Sequence, residues 1–367
     1  MLAPTHGLRE RPEPPSWPAR GLQRFRPAEY AGDRGWLGQD AFCAAGLALA
    51  ARSVRSARGA RSARSARGAR GARRALMDGK AVAAKVREEV KERVRRFQDR
   101  TGTSPGLAVV LVGDRHDSQS YVRAKTKVGE EVGCHIRNVQ LPESVSQEEL
   151  LAKVGELNAD ASVHGILVQL PLPKGIDEVR VLDSILPAKD ADGLTAASLG
   201  QLARPGGAGP VALPCTPAGC MELLRSYEVE LAGKNCVVLG RSAIVGMPMM
   251  LLLQRANATV TLCHRRTKDL VIRCAEAEVL VAAVGRPNFV QAEWVRSGAV
   301  VLDVGINRVE DATRPRGYRL CGDVALGVQE VAALISPVPG GVGPMTVAML
   351  LRNTITLAEA SCPCRNG

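Results

Sequence analysis

The chain contains no uninterrupted apolar run of about 18 residues, so no segment is expected to cross a bilayer as a helix. It contains no Cys-x-x-Cys pair either. Without that spacing its ten cysteines do not build a zinc site, and no metal is expected. They are scattered from Cys43 through Cys134, Cys215, Cys220, Cys236, Cys263, Cys274 and Cys321 to the tail Cys362-Pro363-Cys364. Such dispersal suits small core fillers in a reducing compartment, with the tail a solvated end. Lysine is missing from residues 1–76, and acids are missing from residues 41–76. Of the net charge of +12, the fifteen arginines and five acids of residues 1–76 account for +10, leaving +2 for all that follows. A body so close to neutral gives no electrostatic reason to bind nucleic acid or a membrane surface.

What is present divides into an extension and a body. Residues 51–76 repeat Ala, Arg and Ser or Gly, with Arg at nearly every third place, and such a segment cannot build a core. An Arg-rich, acid-free stretch ahead of a folded body is similar to an organellar transit peptide, for a mitochondrion or plastid, although the acids before position 41 fit poorly. The alternatives are a disordered tail, or untranslated upstream sequence with Met77 as the start. Either leaves the protein in the cytoplasm.

The body, at 46% hydrophobic content for the whole 367-residue chain, has room for two domains with a core each. Order is expected to begin at Met77, and Val82, Val86, Val90 and Val94 recur at helical spacing within residues 81–97. The run GLAVVLV (residues 106–112) reads as a strand, residues 118–132 as a helix, and HGILVQL (residues 164–170) as another strand stopped by Pro171. The Gly- and Pro-rich residues 200–217 mark the boundary between lobes. Beyond it, strands are expected at residues 235–239, 258–262, 278–284 and 299–304 at βαβ spacing, and residues 345–358 form a last helix. The fold expected is two-domain α/β. An N-terminal α/β lobe (residues 77–205) is followed by a Rossmann-like doubly wound lobe (residues 215–335), and the C-terminal helix (residues 340–360) returns to the first.

Two sets of residues carry chemistry. After the strand NCVVL, Gly240-Arg241-Ser242-Ala243-Ile244-Val245-Gly246 is a glycine turn whose backbone N–H groups can cradle phosphate; it is not a GxGxxG fingerprint, and a purely structural turn fits nearly as well. About 20 residues on, where NAD enzymes place an acid, stand Cys263-His264-Arg265-Arg266, which favours a 2′-phosphate and hence NADP. Arg241 and Arg265 are the expected phosphate partners, with Arg266 a solvated neighbour. In the first lobe Tyr121 and Lys125 share a helix face, where a desolvated lysine can serve as acid or base and a tyrosine as a stacking plane, though an ordinary surface pair has the same spacing. Gln169 falls at the C-terminal edge of a parallel sheet, where ligands gather. Asp192, before Gly193, suits either a turn or a hydrogen bond to a heterocycle's amino group. The segment of residues 337–346, PVPGGVGPMT, is rigid and stripped of side chains, suiting close approach to a flat ligand.

Taken in order, YVRAK, VHGILVQLPLP, KDADG, GRSAIVG, DVGIN and PVPGGVGPMTVAML over residues 77–358 resemble the methylenetetrahydrofolate dehydrogenase/cyclohydrolase family. The string GYRLCGDV is similar to the monofunctional-length bacterial and plant members. The resemblance implies a bifunctional enzyme of one-carbon metabolism, acting on tetrahydrofolate as a homodimer. It would oxidise 5,10-methylenetetrahydrofolate to the 5,10-methenyl compound and hydrolyse that to 10-formyltetrahydrofolate. It implies Lys125 as the central catalytic residue and Tyr121 stacking on the folate. Gln169 would bond to Lys125 and Asp192 would hold the pterin. Val168 and Leu170 flank Gln169 in the substrate wall, and Pro339, Gly340, Gly341, Gly343 and Pro344, in the segment running to Val347, close over the folate. Gly240, Arg241, Ser242, Arg265 and Ile306 fall on cofactor positions. Arg265 also resembles the form that uses NAD with inorganic phosphate and magnesium, but that form has an Asp where Asn257 stands; NADP is the expected cofactor and NAD the alternative.

Two rivals remain: a member with only one of the two activities, and a non-enzymatic paralogue whose basic arm binds nucleic acid. The presence of Lys125, Gln169 and Asp192 counts against both. Enzyme activity is expected to be unchanged when residues 1–76 are removed, as a side-by-side absorbance assay would read. Nucleic-acid binding by the arm would instead survive removal of residues 80–367 and fall steeply with salt.

Overall fold

The computed structural model describes residues 75–114, 116–314 and 317–362; the Arg-rich repeat, Cys43 and Cys364 lie outside them. The first lobe is built on a three-stranded parallel sheet of order β3-β2-β4, from β2 (Gly106–Val112), β3 (His135–Leu141) and β4 (Gly165–Val168). Period-two alternation sends β2 into two cores. Leu107, Val109 and Leu111 face helix α1 (Gly79–Thr101), while Ala108, Val110 and Val112 pack on α3 (Gln147–Ala159). Helix α1 buries the expected valines together with Phe97, is capped by the Asp78 carboxylate accepting from the Ala81 N–H, and stops at Gly102 in the left-handed region. Helix α2 (His116–Glu131) connects β2 to β3.

The second lobe carries a six-stranded, wholly parallel sheet of order β1-β11-β8-β7-β5-β6. Its strands are β1 (Ala75–Leu76), β5 (Asn235–Leu239), β6 (Thr259–Cys263), β7 (Val279–Ala282), β8 (Val300–Asp303) and β11 (Leu334–Ile335). From β5 the chain passes through α7 (Gly246–Arg255) to β6 on one side, then returns through α8 (Leu270–Glu276) to β7 on the other. The topological switch therefore lies between β5 and β7. An antiparallel hairpin, β9 (Asn307–Glu310) and β10 (Tyr318–Cys321), follows β8.

The structure moves several sequence boundaries. The fold takes in two residues ahead of Met77, because the Ala75 N–H donates to the Ala333 carbonyl at 3.0 Å and places β1 on the sheet edge. The glycine-rich boundary is shorter than residues 200–217: α5 (Ala196–Ala203) runs into it, and α6 (Cys215–Ser226) begins before it ends. Pro217 is accommodated because the first turn of a helix has no intrahelical partner for its N–H groups. For the same reason the last helix, α9 (Val342–Ser361), starts three residues before Met345, with Pro344 in its first turn. Seven of the eight described cysteines are buried, and Cys362 is partly exposed. Among the described residues no helix is long and apolar enough to cross a membrane.

Helix α9 returns to the first lobe as expected, packing on both α1 and α6. The approach is close enough to demand glycine. A Cβ on Gly219 of α6 would stand 2.8 Å from the Met345 Cβ, and one on Gly79 of α1 would stand 1.8 Å from the Gly341 carbonyl oxygen. Gly79→Ala is therefore expected to lower stability by about 1–3 kcal/mol in urea denaturation. Gly155→Ala on α3, where an added Cβ meets nothing within 4 Å, is expected to raise it by roughly 0.5–1 kcal/mol.

Candidate active site

The chemistry-bearing residues collect at the C-terminal edges of the two sheets. Beyond β4 the Gln169 N–H donates to the Val110 carbonyl at 2.9 Å, extending the ladder one residue and fixing where the side chain starts. Its amide Nε2 donates to the Leu170 carbonyl at 2.9 Å, leaving Oε1 to accept from Lys125 Nζ at 3.0 Å. Lys125 reaches it from α2 and is 8% exposed. Among the described residues no carboxylate stands within ion-pair distance of this amine. Its direct partner is neutral, so the amine is held in place without being neutralised by contact. Tyr121 lies on the same helix one turn earlier, but its side chain is outside the described residues.

Asp192 lies in the turn after an isolated bridge between Ile166 and Asp190. Asp190 is structural. Its carboxylate accepts from the Leu194 and Thr195 N–H groups and from Ser198 Oγ, fixing the start of α5. Gly193, at φ +67°, presses on Leu213 and Pro214, which leaves no room for a Cβ. Burial pushes the Asp192 carboxyl up from the usual carboxylate range, while the Lys125 charge and the Cys215 thiol act to bring it down. Lys125, Asp192 and Gln169 thus belong to one electrostatic unit.

Lys125 and Gln169 open on a cavity of ≈ 340 Å³, whose lining does not include Asp192; it is walled also by Leu170 and Pro171 from the first lobe and by Val245, Val304 and Ile306 from the second. The first turns of α9 close it with Gly343, Thr346 and Val347. A neighbouring cavity of ≈ 230 Å³ shares Val304, Ile306, Val342 and Gly343 and is lined further by Pro339, Gly340, Gly341 and Pro344. Val168 is placed differently from its sequence neighbours, because period two turns its side chain into the core under α3, away from the cavity.

The dinucleotide edge lies at the switch between β5 and β7. Gly240 has φ +107°, and a Cβ there would stand 2.0 Å from the Ala283 carbonyl oxygen, so the turn is a glycine cradle pressed against the strand beside it. Ser242 Oγ accepts from the Val245 and Gly246 N–H groups at 3.2 and 3.4 Å, fixing the entrance to α7. Arg241 and Ser242 are exposed, as is Arg265 beyond β6 in a turn closed by the Thr267 N–H donating to the His264 carbonyl. The bare backbone, the helix N-terminus and the exposed guanidinium groups fit a phosphorylated dinucleotide. Ile306 joins this edge to the reaction cavity, since it lines both cavities.

Sequence reasoning missed several participants. Thr216, whose hydroxyl lies 3.0 Å from that of Thr346 in the expected closing segment, lines the reaction cavity with it. Asn353 Nδ2 donates to the Ala191 and Leu213 carbonyls at 2.9 and 2.7 Å, so α9 clamps the turn bearing Asp192. Cys215 lies against the same turn, its thiol 3.4 Å from the Ala191 carbonyl oxygen. A polar Asn in the apolar run of α9 was the one signal for this clamp.

Comparison with known proteins agrees with the geometry. Residues 77–192 match the tetrahydrofolate dehydrogenase/cyclohydrolase catalytic domain, and residues 214–362 match the NAD(P)-binding domain of the same family. The chain is 52% identical over 285 residues to bifunctional protein FolD 4, chloroplastic, of Arabidopsis thaliana, covering 77% of this chain and 79% of that one. It is 53% identical over 286 residues to bifunctional protein FolD 2 of Rhizobium meliloti, covering 77% and 95%. The solved methylenetetrahydrofolate dehydrogenase-cyclohydrolase of Trypanosoma brucei, complexed with NADP cofactor and inhibitor, superposes with a TM-score of 0.75 at 43% identity over 79% of this chain and 99% of that one. With both domain matches in order and Val245, from the turn that begins at Gly240, lining the Lys125–Gln169 cavity, this chain belongs to the tetrahydrofolate dehydrogenase/cyclohydrolase family.

Proposed function

We propose that the chain oxidises 5,10-methylenetetrahydrofolate to the 5,10-methenyl compound with NADP and hydrolyses the product to 10-formyltetrahydrofolate in the same cavity. The observation that carries this reading is Lys125 Nζ held 3.0 Å from Gln169 Oε1 in a cavity whose far wall is the dinucleotide edge. NADP, when bound, supplies the acceptor for the hydride leaving the methylene carbon. The protein's part is alignment. Asp192 accepts from the pterin amino group, Tyr121 stacks on the ring system, and Leu170 with the segment from Pro339 to Val347 encloses the folate. Val304 and Ile306 hold the reacting faces together in an apolar lining.

Hydrolysis asks more of Lys125. Water adds to the methenyl carbon and releases one proton to solvent, and the carbon–N5 bond breaks as the remaining hydroxyl proton passes from oxygen to N5. An amine fixed by a neutral amide can carry that proton between oxygen and nitrogen without forming a competing salt bridge. NADP is preferred to NAD because the turn after β6 presents Arg265 and Arg266 and no acid, and Arg241 projects from the turn after β5. Residues 1–74 act as an organellar transit peptide in this reading, consistent with their Arg-rich, acid-free end, with Ala75 and Leu76 kept by the sheet; the enzyme works as a homodimer, and nothing in its mechanism calls for a membrane or a nucleic acid.

Replacing Lys125 by Met is expected to reduce cyclohydrolase turnover by about 10²–10⁴-fold with the fold intact, and retained hydrolysis would remove Lys125 from this role. For the cofactor, absorbance assays run with NADP and, separately, with NAD plus phosphate and magnesium should favour NADP. Arg265→Ala should raise KM for NADP by about tenfold or more while leaving KM for folate unchanged. Faster oxidation with NAD, phosphate and magnesium would reverse the assignment.

A further inference from the structure

Two buried carboxylates, neither of them part of the reaction cavity's polar set, organise the dinucleotide edge. Asp323, with no solvent exposure, accepts from three successive backbone N–H groups in the loop after β7: Val284 at 2.6 Å, Gly285 at 2.9 Å and Arg286 at 2.9 Å. It also accepts from Asn307 Nδ2 at 2.9 Å, at the start of β9. Asp303, at the end of β8 and 4% exposed, accepts from the Gly305, Asp323 and Val324 N–H groups at 3.1, 2.9 and 3.0 Å. The two loops adjoin the dinucleotide edge. Val304 and Ile306 line the shared cavity, and Ala283, next to the first of the bonded loops, is the residue whose carbonyl fills the space a Gly240 side chain would need.

The packing leaves no alternative occupant. A Cβ on Gly322 would stand 1.7 Å from Asp303 Oδ2, and one on Gly305 would stand 2.2 Å from Asp323 Oδ1. Every carboxylate oxygen of the pair faces at least one N–H donor, and both oxygens of Asp323 face two. An amide in place of either carboxylate would therefore turn an NH₂ group towards another donor whichever way it was flipped. Burial and the nearby Asp323 charge push the Asp303 carboxyl up to about 7, while the backbone donors act the other way. Two acids kept together at this depth are costly unless their donors are fixed.

We propose that Asp303 and Asp323 are positioning residues for the cofactor: they shape the loops that receive the nicotinamide dinucleotide, and so govern its binding and hydride transfer but not hydrolysis. The proposal rests on the reading that one cavity carries both reactions, and it divides them. Addition of water to the methenyl carbon balances without a nicotinamide and uses Lys125 and Gln169 from the other lobe, whose hydrogen bonds do not involve this pair.

The test compares the full chain with Asp323→Asn, Asp303→Asn and the milder Asn307→Ala. It uses NADP affinity by titration calorimetry, dehydrogenase kinetics, and cyclohydrolase kinetics measured on methenyl-tetrahydrofolate without NADP. Asp323→Asn is expected to weaken NADP binding and raise its KM by about tenfold or more, with cyclohydrolase kcat/KM kept within about twofold. Asn307→Ala, which removes one of the four donors to Asp323 together with a long bond to the Cys321 carbonyl, should show the same split at about threefold. Unchanged NADP affinity in the variants, or hydrolysis falling in step with oxidation, would overturn the proposal. If the aspartate variants do not fold, Asn307→Ala decides by the same two criteria. A wild-type chain with neither activity would overturn the reading of the cavity, while the calorimetric comparison would still decide the positioning role.

Discussion

The fold depends on the burial of α9 between the two lobes. Met345, Ala348, Leu351 and Ile355 are fully buried on it, in a core that also contains Phe97 of α1, Leu223 of α6 and Val238 of β5, so one hydrophobic cluster spans both sheets. Ion pairs border this packing. Arg352 lies 3.0 Å from Glu222 of α6 and 3.0 Å from Glu89 of α1, and Arg93 pairs with Glu359. Glu222 is buried while Glu89 is exposed, so the pairs differ in their setting, but together they bind the same three helices that the apolar contacts unite. Because the first turns of α9 supply Gly343, Thr346 and Val347 to the cavity, the packing that joins the lobes also sets the distance between them at the site.

Parallel topology explains why the functional residues are so far apart in sequence and so close in space. Gln169 follows β4, Gly240 follows β5, Val304 follows β8, and the Pro337–Gly341 segment follows β11, each at the C-terminal edge of its strand. The chain enters β1 at Ala75 on the opposite edge of the same sheet, since β1 runs parallel to β11. The edge carrying the site is therefore separate from the edge where the described chain begins.

Elements with one strong period were legible in the sequence. The apolar run of β2 was read with its residue limits, NCVVL was read as β5, and the valines of α1 fell on its buried face. β3 was not found, because as an edge strand it alternates exposed and partly buried residues, HIRNVQL, and carries no apolar run. The β9–β10 hairpin escaped for the same reason, its residues being mostly polar and only Cys321 buried. Lys125 and Gln169 were each visible as candidates, but their pairing entered only through the family resemblance and could not be derived from spacing. It requires the register of β4 against β2 to bring Gln169 beneath α2, a tertiary fact that no local spacing encodes. Tertiary contact also separated Val168 from its neighbours, since a single step along a strand reverses the direction of the side chain.

Net charge was the least informative property of the chain, and local charge one of the most. The body is almost neutral as a sum, yet its dinucleotide edge exposes Arg241, Arg265 and Arg266. Two acids of neighbouring loops, Asp303 and Asp323, are turned inward. Their oxygens accept from the backbone of those loops. Their negative charge is thereby committed to shaping the edge, while Asp269 stays exposed three residues beyond Arg266. The sequence marks the three arginines by their places after two strands, but gives no such sign for the two acids. Only burial shows that these acids organise the backbone, which is why their part in this edge could not be read before the fold was known.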